Sequence, residues 1–404
     1  MNKKSITDIN VQGRRVLVRV DFNVPLSGKD PNSLITVTDD ARIRAALPTL
    51  NYLLDHGASL ILCSHLGRPK TAADRQFRLD PVAKALSDLL GRPVQKLDEV
   101  VGESVTAAVS AARPGDVILL ENTRFIPGET KNDPKLSQQL ADLAEVYVDD
   151  AFGSAHRAHS STEGVARFIR AKGGACVAGF LMEKELSALG LAVSNPPHPY
   201  VAIMGGAKIS DKIKLIENLL TKADKILVGG GMANTFFKAL GYETGTSLVE
   251  ADAVPEAQRL LALAAERLVL PVDVVAAEQF SAESPHAIVP ATAIPADRMA
   301  LDIGPATLAR FAAELSGAAL VIWNGPMGVF ELAPFAHGTL TLAEYLAGAV
   351  EHGAQVIIGG GDSAAAVAQA NLTDKMTHVS TGGGASLELL EGLELPGIAA
   401  LDDK

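Results

Sequence analysis

The chain has 404 residues, of which 48% are hydrophobic and 21% charged, and this length predicts two domains because it exceeds one ordinary hydrophobic core. Its 36 basic and 47 acidic residues give a net charge of −11, which argues against a nucleic-acid partner. The sequence has no signal-peptide pattern and no apolar run of about 18 residues, and Cys63 and Cys176 lack metal-ligand spacing, so we expect a cytoplasmic protein with reduced thiols and no membrane partner.

Short aliphatic runs alternate with helix-like segments along nearly the whole chain, which is the signature of βαβ units. Two of the helix-like segments are Asp80–Leu90 and Leu136–Ala144. Aromatic residues make up only 4% of the chain, which suits a helix-flanked parallel sheet with aliphatic strands. We therefore predict the α/β class. The predicted strands are, in chain order, Val16–Val20, Leu60–Cys63, Val117–Leu120, Val146–Val148, Val201–Met204, Ile226–Val228, Leu320–Trp323, Val356–Ile358 and His378–Ser380.

The domain boundary is predicted by a helix over Leu181–Val193 that the proline-rich segment Asn195–Pro199 stops. We expect a first domain over 1–185, a connecting helix end and hinge over 186–199, a second domain over 200–388 and a C-terminal tail over 389–404. The polar, turn-rich stretch Ser27–Asp40 predicts an exposed loop.

Basic side chains follow the predicted strands of the first half, at the edge of a parallel sheet where ligands bind. Arg68, Arg124 and Arg157 come from three strand ends. A surface ion pair would be the ordinary explanation for any one of them. Together, in an acidic chain, they predict a site for a small molecule with several negative charges, because guanidinium groups bind phosphate and carboxylate through a planar fork. The other polar residues at these strand ends and at the start of the first helix are Asp21, Asn23, Arg42, His65 and His156.

Glycine-rich turns follow the strands of the second half. Glycine lets backbone N–H groups approach phosphates or a flat base closely. One such run would be an ordinary tight turn, but several in one domain predict a nucleotide site. The turns are Gly205–Gly206, Gly229–Gly231, Asn324–Gly328, Gly359–Gly361 and Gly382–Gly384.

Two lysines, Lys208 and Lys212, flank the start of a predicted helix after the first of these turns. Ser210 or Asp211 is expected to cap this helix. Free N–H groups at its start, together with the lysines, predict a phosphate site. The alternative for Lys212 is a solvated surface residue.

Two acidic residues each leave two interpretations open. Asp362 is either the N-cap of a helix over Ser363–Ala370 or a Mg²⁺ ligand beside phosphates. Glu331 is either a solvated loop residue or an acceptor for ribose hydroxyls.

A GxGxxA pattern over Gly359, Gly361 and Ala364 makes an NAD-dependent dehydrogenase an alternative function. Only about one predicted strand follows the pattern, which is too few for the rest of a dinucleotide domain. No GxxxxGK[ST] motif occurs, so the nucleotide site is not a P-loop.

Segments spread from residue 19 to residue 386 resemble the signatures of the phosphoglycerate kinase family. They are RVDFNVP (Arg19–Pro25), SHLGRP (Ser64–Pro69), DAFGSAHRAHSS (Asp150–Ser161), GGAKISDKI (Gly205–Ile213), WNGPMGVFE (Trp323–Glu331), GGGDS (Gly359–Ser363) and STGGGAS (Ser380–Ser386). The resemblance implies two doubly wound, Rossmann-like parallel-sheet domains that face each other across a cleft, joined by a connecting helix, with the tail returning to the first domain. It implies Mg²⁺-dependent, reversible phosphoryl transfer between 1,3-bisphosphoglycerate and ADP, giving 3-phosphoglycerate and ATP in glycolysis, by a monomer.

The resemblance also assigns roles to individual residues. Those expected to hold the glycerate substrate are Asp21, Asn23, Arg42, His65, Arg68, Arg124 and Arg157. Those expected to hold the nucleotide are Gly206, Lys208, Lys212, Gly230, Asn324, Pro326, Glu331, Gly360, Gly361, Asp362 and Ser363, with Asp362 as the metal ligand. The family usually has threonine where Ser363 stands, and serine keeps the hydroxyl.

The chemistry predicted from these residues needs no general base, because a carboxylate acceptor is already a nucleophile near neutral pH. It needs charge neutralisation and alignment. We expect Arg42, Lys212 and the N–H groups of Gly382, Gly383 and Gly384 to stabilise the transferring group, and domain closure to bring the two sites together. A catalytically silent nucleotide-binding protein of the same fold stays open as a second alternative.

Overall fold

The computed structural model describes residues 2–28 and 35–404. The chain divides into two compact units, Met1–Ser187 with Glu394–Lys404, and Ala188–Leu393. The C-terminal segment belongs to the first unit, where the Gly397 N–H donates to the Ala155 oxygen at 2.8 Å. The domain limits predicted from the sequence, at 185, 199 and 388, stay a prediction.

Strands and helices alternate along both units. The strands are β1 (Arg15–Val20), β2 (Ser59–Cys63), β3 (Gln95–Lys96), β4 (Val117–Leu119), β5 (Val146–Asp150), β6 (Ala175–Ala178), β7 (Tyr200–Met204), β8 (Lys225–Val228), β9 (Leu268–Val269), β10 (Asp273–Ala277), β11 (His286–Pro290), β12 (Met299–Ile303), β13 (Leu320–Asn324), β14 (Gln355–Gly359) and β15 (His378–Val379). The α-helices are α1 (Ala41–Asp55), α2 (Asp80–Leu90), α3 (Glu103–Ala111), α4 (Pro134–Ala141), α5 (Val165–Ala171), α6 (Phe180–Ser194), α7 (Ile213–Leu220), α8 (Gly231–Ala239), α9 (Val254–Ala264), α10 (Pro305–Leu315), α11 (His337–Glu351), α12 (Gly361–Gln369), α13 (Gly384–Leu390) and α14 (Pro396–Ala399).

The first unit is built on a parallel sheet of order β3-β4-β2-β1-β5-β6. Val18 of the central strand β1 pairs with Leu62 of β2 on one side and with Val148 of β5 on the other. Every residue of β2 is buried, which explains its largely aliphatic sequence. β5 is also fully buried, although it ends in Asp149 and Asp150. The chain crosses from one side of β1 to the other before β5, and doubly wound sheets bind ligands at such a point.

The second unit has a parallel sheet of order β15-β14-β13-β7-β8-β9 and a smaller antiparallel sheet of order β11-β10-β12. In the parallel sheet, Ile203 of β7 pairs with Trp323 of β13 and with Leu227 of β8. None of the three antiparallel strands was predicted from the sequence. β11 is largely exposed, and Asp302 interrupts the apolar run of β12, so neither strand carries a buried aliphatic signature.

The predicted α/β class with two parallel sheets is confirmed, and each predicted strand coincides with an observed one. The predicted helix Asp80–Leu90 is α2. Helix α4 starts two residues earlier than predicted because the Asp133 side chain accepts the Leu136 N–H and caps it.

The predicted loop Ser27–Asp40 lies partly outside the described residues, since 29–34 are not described. In the part that is described, the Ser27 N–H donates to the Thr36 oxygen at 2.8 Å. None of the described helices is long and apolar enough to cross a membrane.

Candidate active site

A cavity of about 290 Å³ lies in the first unit, where residues that follow β1, β2, β4 and β5 meet. These strands are neighbours in the sheet, so their carboxyl ends bring distant parts of the chain together. The residues that line it are Asn23, His65, Gly67, Arg68, Arg124, Gly153, Ser154, His156, Arg157 and His159. We call it the anion cavity, for the charge described next.

Three arginines line the anion cavity, and none of its described lining residues is acidic. Arg124 donates from Nη1 to the Gly67 oxygen at 2.7 Å. Its Nε is buried and has no hydrogen-bond partner in the described part of the chain. Burial, followed by the charges of Arg19 and Arg68, lowers the pKa of Arg124. Positive charge is thus concentrated here in a chain of net charge −11, and an anionic ligand would balance it.

Neutral hydrogen-bonding groups complete the cavity wall. The Asn23 side-chain oxygen accepts the Gly67 N–H at 2.8 Å, which holds the glycine turn against the end of β1. Burial lowers the pKa of His159 to about 4, and the charges of Arg124 and Arg19 act in the same direction. His159 is therefore neutral near pH 7, and it was not among the residues predicted for this site.

Two residues predicted for the same site, Asp21 and Arg42, pair with each other beside the cavity rather than lining it. Arg42 Nη1 donates to Asp21 Oδ2 at 2.8 Å, and the Arg42 side chain is 40% exposed. The other predicted residues, Asn23, His65, Arg68, Arg124 and Arg157, all line the cavity. Arg42 is thus anchored by a carboxylate with part of its surface open to solvent.

The second unit has a cavity of about 510 Å³ where the turns after β7, β8 and β13 meet. It is lined in part by predicted residues, which are Gly206, Gly230, Pro326, Glu331 and Asp362. Its apolar wall was not predicted from the sequence and includes Phe237, Leu248, Val274, Phe280, Met299 and Leu301. The one sequence signal for this wall is that its apolar residues cluster between the glycine turns. The spacing of apolar residues along strands gives no reason to assign them to a cavity. We call this the glycine-rich cavity.

Lys212 lies beside the glycine-rich cavity and is held by neutral oxygen atoms. Its Nζ donates to the Gly205 oxygen at 2.8 Å, to the Asn324 backbone oxygen at 3.1 Å and to Asn324 Oδ1 at 2.5 Å. Burial lowers the pKa of Lys212 to about 8, although Asp362 and Asp211 act to raise it. These contacts do not support the alternative of a solvated surface lysine.

The predicted caps of helix α7 are wrong. The helix begins at Ile213 with Lys212 at the N-cap position, and no side chain caps it. Glu250, from a distant segment, instead accepts the backbone N–H of Ser210 at 3.1 Å and the Ser210 hydroxyl at 2.6 Å. It also accepts the Ile209 N–H at 2.7 Å. A carboxylate distant in the chain thus occupies N–H groups just before α7, while the start of the helix itself has no side-chain cap.

The N-cap interpretation of Asp362 is also wrong. Helix α12 starts at Gly361 with Gly360 as its N-cap, so Asp362 lies in the first turn, exposed and lining the glycine-rich cavity. The Ser363 hydroxyl, by contrast, is buried and accepts the Gly325 N–H at 2.6 Å. Over residues 2–28 and 35–404, no cluster of three or more metal-ligating side chains exists.

The remaining predicted nucleotide and catalytic residues do not line the glycine-rich cavity. They are Lys208, Lys212, Asn324, Gly360, Gly361, Ser363, Gly382, Gly383 and Gly384. The Gly382 N–H donates to Ser380 Oγ at 3.1 Å. Asn324 donates from its side chain to the Gly359 oxygen at 2.9 Å, which joins the ends of β13 and β14. Asn324 therefore connects Lys212 to the turn that carries Asp362.

The comparisons agree with one another. The family model for phosphoglycerate kinase matches residues 6–393. Relatives named phosphoglycerate kinase from Chloroflexus aurantiacus and Moorella thermoacetica are 57% and 56% identical to the chain, each over 100% of both chains. The solved phosphoglycerate kinase structures from Coxiella burnetii and Pyrococcus horikoshii are similar with TM-scores of 0.88 and 0.82, at 40% and 31% identity, each over 98% of both chains. They give no support to a dehydrogenase.

Proposed function

Because the chain belongs to the phosphoglycerate kinase family, we propose that its two cavities hold the two substrates of one phosphoryl transfer. The enzyme catalyses reversible transfer between 1,3-bisphosphoglycerate and ADP, giving 3-phosphoglycerate and ATP, a step of glycolysis. The anion cavity would hold the glycerate compound and the glycine-rich cavity the nucleotide. The observation that carries this proposal is the concentration of Arg68, Arg124 and Arg157 around a cavity without an acidic lining residue among those described.

The chemical character of each cavity supports this assignment. A phosphorylated glycerate has a phosphate and a carboxylate, which match the guanidinium groups of the first unit. The second cavity combines an apolar wall for a base with glycine turns for phosphates. Glu331 lies among its lining residues, as expected of an acceptor for ribose hydroxyls.

The transfer needs no side chain that removes a proton. The carboxylate of 3-phosphoglycerate attacks the terminal phosphorus of ATP directly, and the bond to the leaving ADP oxygen breaks. Arg42 and Lys212 would neutralise the charge that is shared among the phosphoryl oxygens in the transition state. Gly383 and Gly384 would add backbone N–H groups at the start of α13.

Mg²⁺ fits the residues of the glycine-rich cavity. Asp362 is an exposed carboxylate on its lining, and Mg²⁺ is commonly bound through one or two carboxylates together with substrate phosphates and water. When bound, the ion would neutralise phosphate charge. The family assignment also supports a cytoplasmic monomer, and light scattering on the purified protein would test its mass.

A coupled assay tests the proposed function. The protein is incubated with MgATP and 3-phosphoglycerate, and hydroxylamine consumes the acyl phosphate as it forms. We expect ADP to accumulate only when both substrates are present. Absence of ADP would contradict the proposed kinase, and reduction of NAD by the protein would instead support the dehydrogenase alternative. Nucleotide binding without turnover would support the catalytically silent alternative.

A further inference from the structure

Arg19 is a buried cation with no role in the mechanism above. It lies on β1 and is only 1% exposed, so it does not reach a ligand itself. Its Nε donates to Ser161 Oγ at 3.0 Å, and its Nη1 donates to the Val20 oxygen. Its Nη2 lies 3.3 Å from Ser154 Oγ and 3.0 Å from Nδ1 of His65. One guanidinium thus joins the strand to residues of the anion cavity.

A buried carboxylate holds this guanidinium in place. Glu129 is 0% exposed and accepts the Ser161 hydroxyl at 2.5 Å and the Ser161 N–H at 3.1 Å. The Ser161 hydroxyl in turn accepts from Arg19. The hydrogen bonds therefore run from Glu129 through Ser161 and Arg19 to His65, and His65 lines the anion cavity. Buried charges connected in this way give a group one orientation.

The direction of the last hydrogen bond determines the proton position on His65. Arginine nitrogens only donate, so Nδ1 of His65 accepts, and a neutral imidazole then carries its proton on Nε2. Burial lowers the pKa of His65 well below 6.5, and the neighbouring charges lower it further. The charged and titratable groups that face His65 are Arg19 of β1, Arg42 of α1, Arg124 and His159, and Glu129, Asp21, Asp149 and Cys63 surround Arg19.

We propose that Arg19 is a positioning residue for the anion cavity: by occupying Nδ1 of His65, it holds the imidazole neutral with its proton on Nε2, so that His65 meets the substrate as a hydrogen-bond donor. With the proton on Nδ1, a lone pair on Nε2 would face the anion and repel it. This inference rests on the proposed function, in which the cavity holds 3-phosphoglycerate. It gives Arg19 an effect on substrate affinity without contact to substrate.

Nitrogen NMR of the ligand-free protein tests the tautomer directly. We expect the His65 signals of a neutral ring that is protonated at Nε2. These signals should not change between about pH 5.5 and 8.5, because the pKa of His65 lies well below the value of a free histidine, near 6.5. The variant His65→Gln assigns the signals by their disappearance. A ring protonated at Nδ1, or one that titrates near pH 6.5, would overturn the proposal. This result is independent of the enzyme's activity.

A double-mutant cycle tests the effect on substrate. Arg19→Lys keeps the charge but loses the fork that reaches His65 and Ser161 together. We expect its KM for 3-phosphoglycerate to rise about ten-fold at pH 8, which corresponds to one hydrogen bond to a charged group, with kcat changed much less.

Repeating Arg19→Lys in a protein that already carries His65→Gln distinguishes a positioning role of Arg19 from a packing role. His65→Gln keeps an N–H donor that does not titrate, so Arg19→Lys should raise KM no further in that background. An equal rise in both backgrounds would overturn the proposal. If Arg19→Lys does not fold, Ser161→Ala replaces it in the double-mutant cycle. This variant removes the hydroxyl that links Arg19 to Glu129. A wild-type enzyme without kinase activity would contradict the proposed function. The NMR experiment does not depend on activity, so it tests the role of Arg19 separately from the proposed function.

Discussion

Lys212 is a cation whose hydrogen-bond acceptors carry no formal charge. Two backbone carbonyls and the Asn324 amide oxygen surround its ammonium group, and burial lowers its pKa to about 8. A largely desolvated cation whose direct contacts are all neutral is unfavourable, and the nearby Asp362 and Asp211 offset this only in part. A phosphate that reaches Lys212 would supply a negative charge next to the ammonium group. The unfavourable free energy of the desolvated ammonium group in the ligand-free protein therefore favours phosphate binding.

The low pKa of Lys212 predicts a pH dependence. As the pH rises through about 8, Lys212 loses its proton and with it the attraction to phosphate. We therefore expect kcat/KM for MgATP, which reports groups of the free enzyme, to fall above about pH 8. Lys212→Arg is the control, because its guanidinium stays charged. Its profile should be flat at a lower level. A flat wild-type profile up to about pH 9.5 would contradict this prediction.

Arg42 and Arg44 lie on the same helix and form a matched pair for substitution. Arg42 pairs with Asp21 beside the anion cavity, whereas Arg44 pairs with Asp40 and its side chain is 60% exposed. We expect Arg42→Ala to lower kcat about 10² to 10³-fold, as the loss of one transition-state donor does. Arg44→Ala should change kcat less than about two-fold, since exposed ion pairs contribute little. Steady-state kinetics of both variants test this. Near-normal turnover in Arg42→Ala would remove Arg42 from the mechanism.

At the scale of the element, glycine turns determine how closely β7, β8 and β13 approach at their carboxyl ends. Gly230 precedes α8 with φ of 66°, and a Cβ there would lie 2.7 Å from the backbone of Gly206 and 2.8 Å from the Pro326 oxygen. No side chain fits this contact. The shape of the glycine-rich cavity thus depends on the absence of a single methyl group.

Gly230→Ala should therefore impair nucleotide binding. We expect its KM for MgATP to rise at least about ten-fold, because the turns after β7 and β13 must move apart, while KM for 3-phosphoglycerate stays unchanged. Gly353→Ala is the control: its φ of 96° is also unfavourable for alanine, but no atom lies within 4 Å of the added Cβ. Both variants carry backbone strain of about 1–3 kcal/mol, so equal effects on KM would contradict a steric role for Gly230.

At the scale of the molecule, the anion cavity lies in one compact unit and the glycine-rich cavity in the other. Direct transfer requires the reacting atoms to be about 3 to 3.5 Å apart. We expect the radius of gyration from small-angle scattering to decrease when 3-phosphoglycerate and a nucleotide are both bound, and to change little with either alone. An unchanged radius with both ligands would contradict domain closure.

The sequence by itself determined the class of fold and much of the site. Aliphatic runs such as Leu60–Cys63 identify buried strands because a parallel sheet has no solvated face. The residues that follow them, including His65 and Arg124, reach one cavity because parallel strands end at one edge. The local sequence pattern was sufficient to predict the location of a residue wherever that location follows from its position along a strand.

Tertiary structure decided the remaining features, because they depend on residues distant in the chain. Glu250 accepts the N–H groups of Ile209 and Ser210 just before α7, and neither Ser210 nor Asp211 caps the helix as predicted. The Arg19 guanidinium reaches Nδ1 of His65 only because β1 and β2 pair side by side. Hydrogen-bond partners and burial are properties of the folded chain, so the pKa of Lys212 and the proton position on His65 followed only from the structure.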